Sequence, residues 1–187
     1  MYGKNVFSIT ALAVGLMLPG AAGAQTLDLT KRFQVVMHKD IKKMQTDLNK
    51  AGQNGIRIVT GSSTGGEELV FLLEKDEREG AAYEHLIISG GDLPKLEQSL
   101  GRAASQGFRL LPETMTLKSK KLGSGDIVLV TEKGPRNKGS YEYILLDASM
   151  GATMQVTLAG SIDQGYRVLG MLRKGKQLLL VLEKHTP

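Results

Sequence analysis

Apolar and polar positions along this chain fall into the same order of patterns three times. The apolar residues Ile41, Met44, Leu48 and Ala51 recur at spacings of three, four and three, which is a single stripe on a helix. Asp40 precedes the stripe as a candidate N-cap, and Gly55 follows it as a stop. Leu93, Leu96, Leu100 and Ala103 repeat the frame behind Asp92, with Gly107 as the stop. Pro94 falls in the first turn of that helix, where a missing N–H does no harm. In the third copy Met154, Leu158 and Ile162 lead to Gly165, and Gly151 takes the place held by Ile41 and Leu93. Gly151, Thr153, Val156, Thr157 and Gly160 make this the weakest of the three helices.

Strand patterns flank each stripe. The first copy reads as strands over 33–37, 56–60 and 68–75, the second over 83–88, 108–111 and 126–133, and the third over 141–146, 166–169 and 177–184. Gly61 to Gly66 reads as a flexible turn, and the segment holding Lys118, Lys120 and Lys121 as a long polar connection. Each unit is therefore β-α-β-β. The helix joins the first two strands, which run parallel if they share a sheet, and the last two form a hairpin. The third strands are continuous apolar runs, the pattern of strands covered on both faces. They close alike, on Glu74-Lys75, Glu132-Lys133 and Glu183-Lys184. One unit is too small to bury both faces of its sheet. The expected fold is α+β: three tandem repeats, 32–75, 83–133 and 141–184, forming an antiparallel-rich sheet with helices packed on it, in one domain over 25–187.

The start of the chain follows a different pattern. Lys4 precedes an apolar run from Val6 to Leu18, then Pro19-Gly20 and Ala22-Gly23-Ala24. That predicts a signal peptide over 1–24, cleaved before Gln25. The run is short for a bilayer span and no basic cluster follows it, so no transmembrane segment is expected after cleavage. The expected location is periplasmic or secreted. Cysteine is absent, so the exported protein rests on its hydrophobic core with no disulfide. The net charge of +5 is spread along the chain with both signs interspersed, and tryptophan is absent. A nucleic-acid surface calls for a concentrated basic stripe with stacking aromatics, so Lys118, Lys120, Lys121, Arg136 and Lys138 make only a weak case for one.

The units resemble a short bacterial domain of unknown function, number 4177. Tyr141-Glu142-Tyr143 and Tyr83-Glu84-His85 match its opening strand, Leu48-Asn49 with Gly52 and Gly55 its helix end, and Glu132-Lys133 with its equivalents its closing strand. The family's glycine-tryptophan joint becomes Ile56, Phe108 and Tyr166, each followed by arginine. The resemblance implies a repeated α+β fold over almost all of the exported chain, and carries no catalytic residue.

Those arginines, Arg57, Arg109 and Arg167, are the sharpest candidate site. Gathered around a threefold axis they would suit a phosphate, sulfate or polycarboxylate, because each guanidinium offers bidentate donors. The simpler arrangement pairs each with the glutamate across its own hairpin: Glu74, Glu132 or Glu183. His38, His85 and His185 lack the spacing of a metal site, and no nucleophile elbow or phosphate loop is present, so neither metal nor cofactor is expected. The expected function is a non-enzymatic binding or scaffold protein of the envelope, its partner an envelope protein or a small anion. The alternative is an enzyme or sensor acting on a small anion at the three arginines.

Overall fold

The computed structural model describes residues 27–121 and 124–187; the leader predicted over 1–24 lies outside them. Among the described residues three units follow one another. The first comprises β1 (Phe33–His38), α1 (Ile41–Gln53), β2 (Ile56–Ser63) and β3 (Leu69–Lys75). The second comprises β4 (Glu84–Gly90), α2 (Leu93–Ser105), β5 (Arg109–Leu110), β6 (Thr116–Lys121) and β7 (Ser124–Lys133). The third comprises β8 (Ser140–Asp147), α3 (Ala152–Asp163), β9 (Arg167–Lys174) and β10 (Gln177–Thr186). The fold is α+β with three separate antiparallel sheets.

In each sheet the last strand lies in the centre: the orders are β1-β3-β2, β4-β7-β5 and β8-β10-β9. The first two strands of a unit are thus parallel but not adjacent. The continuous apolar runs have a direct cause, since a central strand loses water on both faces. Leu69, Phe71 and Leu73 of β3 face α1, while Val128 and Val130 of β7 present the other face of their sheet to the same core. The long polar connection expected around Lys118 is instead strand β6, paired with β7, after a short 3-10 turn at Pro112–Thr114. Gly61 likewise lies within β2 rather than in a turn, and the Phe71 ring lies where its Cβ would be.

Each of the first two helices is shared. Met44, Leu48 and Ala51 of α1 pack on their own sheet, in a core that also takes Val128 and Val130 from the second sheet. Leu96, Leu100 and Ala103 of α2 join a core that includes Tyr143, Leu145 and Val181 of the third sheet. The units are therefore layered in series: sheet, helix, sheet, helix, sheet, helix. The capping expected from sequence forms at α1 and α2. Asp40 accepts from the N–H groups of Lys42 and Lys43, and Asp92 from that of Lys95. The stop glycines Gly55, Gly107 and Gly165 have φ of 75°, 87° and 91°. Only lysine methylenes lie near a Cβ built on Gly107. The strain of Gly107→Val would therefore be in the backbone, and the variant is expected to lose roughly 1 kcal/mol or more in denaturant unfolding.

Candidate functional site

The helices reach the next sheet through polar side chains at one repeated position. Gln45 of α1 donates from Nε2 to the His85 carbonyl at 2.6 Å and accepts from the Ile87 N–H at 2.7 Å. Asn49, one turn on, accepts from the His85 N–H at 3.0 Å. In α2 the residue equivalent to Gln45 is Glu97, which accepts from the Leu145 N–H at 2.8 Å. β4 and β8 are edge strands, and these contacts satisfy backbone groups that would otherwise lie open.

The second repeated position is the glutamate that ends each central strand. Glu183 is 0 % exposed at its side chain and gathers four donors. Arg109 donates from Nε and Nη2, each at 3.1 Å, Arg167 from Nη2 at 2.7 Å, and the Tyr143 hydroxyl at 3.1 Å. Burial pushes this carboxyl up, but the bonds from Arg109 and Arg167 outweigh it and hold the group below its ordinary range. Burial pushes the Tyr143 hydroxyl up, and that oxygen also accepts from the Leu110 N–H at 2.8 Å. Glu183 thus ties the second unit to the third. In the first joint His85 stands where Tyr143 stands, its Nδ1 3.1 Å from the Leu48 carbonyl and its Nε2 3.1 Å from Glu132.

This settles where the three arginines go. Arg57 donates to Glu74 at 2.9 Å and Arg167 to Glu183, each across its own hairpin. Arg109 does not take Glu132, although the two are register partners; it crosses to Glu183 of the next unit and lies over the Tyr141 ring, 5.4 Å from its centre. The structure brings Arg109 and Arg167 together on one carboxylate and leaves Arg57 apart from them on Glu74. A cavity of about 210 Å³ beside Arg57 is lined by Arg32, Arg136 and Lys75 and also by Glu74, Asp76 and Glu77. Asp76 accepts from Arg78 at 2.7 Å and from the Tyr83 hydroxyl, and these bonds hold its carboxyl far below the ordinary range.

The remaining candidates are placed as follows. His38 Nε2 lies 2.6 Å from Asp47, and His185, within β10 rather than in a tail, stacks on Tyr141. Among the described residues no group of three or more His, Cys, Asp or Glu side chains is placed to hold a metal ion. Lys118 is buried, and Arg136 lies 3.9 Å from Asp76.

One feature of the surface was not anticipated from the sequence. Phe33, Val35 and Met37 on β1 are 50, 46 and 43 % exposed. Register equates Phe33 with His85 and Tyr143, and Val35 with Ile87 and Leu145, which sit under α1 and α2. The signal was available: β1 alternates apolar residues on the face away from its own helix.

Comparison with family models, with curated proteins and with solved structures finds no match to this chain. Among the described residues no helix is long and apolar enough to cross a membrane.

Proposed function

We propose that this chain is an exported binding or scaffold protein of the envelope, periplasmic or secreted, with no reaction of its own, built from units of the number 4177 kind. The half-exposed apolar face of Phe33, Val35 and Met37 carries the reading. Its counterparts in the other two units are covered by a helix, and an apolar face left open on an edge strand is characteristic of an interaction surface. The shifted groups support the same reading. Burial raises Tyr143, while Glu183 and Asp76 are lowered against their burial by partners that occupy their hydrogen-bonding capacity, whereas a working acid or base keeps a face for its substrate.

The second reading, a sensor or enzyme for a small anion, is favoured by the cavity that Arg32, Arg57 and Arg136 line. It includes one of the three equivalent arginines, and its carboxylates offset most of the positive charge. A melting temperature raised by phosphate, sulfate or citrate at matched ionic strength would favour it.

A photoreactive amino acid at Val35, activated in intact cells, tests the first reading. A covalent protein adduct is expected, on a chain whose intact mass begins at Gln25. Absence of any protein adduct would overturn the binding reading, and full-length chain in the membrane fraction would overturn export.

A further inference from the structure

The two ends of the stack carry the two kinds of face that meet at the joints inside the chain. Inside the chain a helix of one unit covers the outer sheet face and first-strand edge of the next, once with α1 on β4 and once with α2 on β8. Among the described residues the first sheet has no such helix on its outer face, and the third helix has no such sheet. Val70 and Leu72 on β3 are half-buried, whereas the equivalent Val128 and Val130 are fully buried. On α3, Met154 and Leu158 are half-buried, whereas the matching Met44, Leu48, Leu96 and Leu100 are closed to solvent.

The chemistry of the open helix face matches the open sheet face. Gln155 of α3 occupies the position of Gln45 and Glu97, the residues that hold the edge strand of the following sheet. Val35 of β1 occupies the position of Ile87 and Leu145, whose N–H groups those side chains receive. Ile162 takes the place of Gly52 and Ala104 at the crossing and is 51 % exposed. The growth from glycine to alanine to isoleucine makes the third crossing wider and more apolar. Arrays of stacked units ordinarily end in polar caps, and among the described residues this one shows open apolar positions at both ends, Val35 on the first sheet and Ile162 on the third helix.

We infer that the occupant of both faces is a second copy of this chain: α3 of one copy docks on the outer face and edge of β1 of the next, with Gln155 on the backbone around Val35. The inference rests on the binding reading above and names the partner. The contact is heterologous, head to tail, so it does not close on two copies and continues to a ring or a filament.

Light scattering on the protein as recovered from its producing cells tests this. The weight-average mass is expected to rise with concentration beyond one chain. Val35→Glu and Ile162→Glu alter opposite ends at exposed positions. Each variant alone should remain monomeric, while an equal mixture should stop at two chains, because each supplies the face the other lacks. A wild type that is monomeric at every concentration would overturn the inference, as would single variants that still pair or a mixture that stays apart. Should either variant fail to fold, the absence of native cysteine allows a second measurement. Val35→Cys mixed with Gln155→Cys, the pair equivalent to Ile87 and Gln45, should form a mixed disulfide under mild oxidation, and neither alone should form its own; dimers of a single variant would overturn the head-to-tail contact. A Val35 adduct in cells to a different protein, with purified chain monomeric, would sink self-association and leave the binding reading intact.

Discussion

Gly52→Val is expected to lower unfolding stability by about 3 kcal/mol, while Gly101→Ala, the addition of a methyl to the next helix, is expected to raise it. Both glycines are helical, so propensity alone favours each substitution by up to about 1 kcal/mol for alanine and less for a β-branched residue. The surroundings separate them. A Cβ on Gly52 would collide with the Tyr83 carbonyl oxygen and lie 3.1 Å from the His85 ring, whereas a Cβ on Gly101 meets nothing within 4 Å. The obstacle at Gly52 is backbone of the second unit and cannot rotate away. Relief requires α1 and β4 to separate, which lengthens the Gln45 and Asn49 bonds and opens the core that α1 shares with Val128 and Val130. Overpacking of this kind costs roughly 1–3 kcal/mol, and each weakened hydrogen bond about another 1. Urea unfolding of the two variants measures the difference, and hydrogen exchange at the Ile87 amide should quicken in Gly52→Val alone. An unchanged Gly52→Val midpoint would mean that the first two units are not joined at this crossing.

The architecture was legible where the physics is local. Apolar spacing, an acidic cap and a glycine stop act within a dozen residues, so α1, α2 and the positive-φ glycines could be placed by reading along the chain. α3 was read as the weakest helix, and of its residues only Ser161 is fully buried. What escaped depends on how the units stack. Strand β6 shows no apolar alternation because Thr116 and Lys118 are buried; Thr116 lies beside β2, its hydroxyl accepting from the Ser63 N–H at 3.1 Å. A repeat frame treats all three units as equals and therefore offers Glu132 to Arg109. In the stack His85 already reaches Glu132, and the neighbouring sheet brings Glu183 within reach. For the same reason the frame could place Arg57, Arg109 and Arg167 at one position but not show that two of them share a carboxylate. The apolar alternation of β1 could be read along the chain, but not that its face stays open, since equivalence of pattern does not reveal which unit among the described residues lacks a neighbour.

Glu183→Gln should lower stability at neutral pH by about 3 kcal/mol and flatten its loss in acid. The carboxylate is closed to solvent and holds two guanidinium groups and one hydroxyl. Removing one partner of a buried pair strands the other charge, at roughly 3–5 kcal/mol when both are enclosed. Arg167 is 60 % exposed and can return to water, so the lower end of that range applies; the half-buried Arg109, held over Tyr141, accounts for most of the loss. The sign of the pH effect follows from the direction of the shift. Glu183 lies below its ordinary 4.5 in the folded protein, so the unfolded chain takes up this proton first as pH falls. Its contribution is fully present above the unfolded value and disappears as pH drops through the folded one. Asp76, with Arg78 and Tyr83 on its carboxyl, is shifted in the same direction and keeps its own slope in the variant. Urea midpoints between about pH 7 and pH 2 should thus converge for the wild type and Glu183→Gln as the medium becomes acidic. Arg109→Gln and Glu183→Gln combined should be less damaging than the sum of the two, because both disrupt one contact between the second and third units. Strict additivity, or a variant as sensitive to acid as the wild type, would show that Glu183 does not fasten those units.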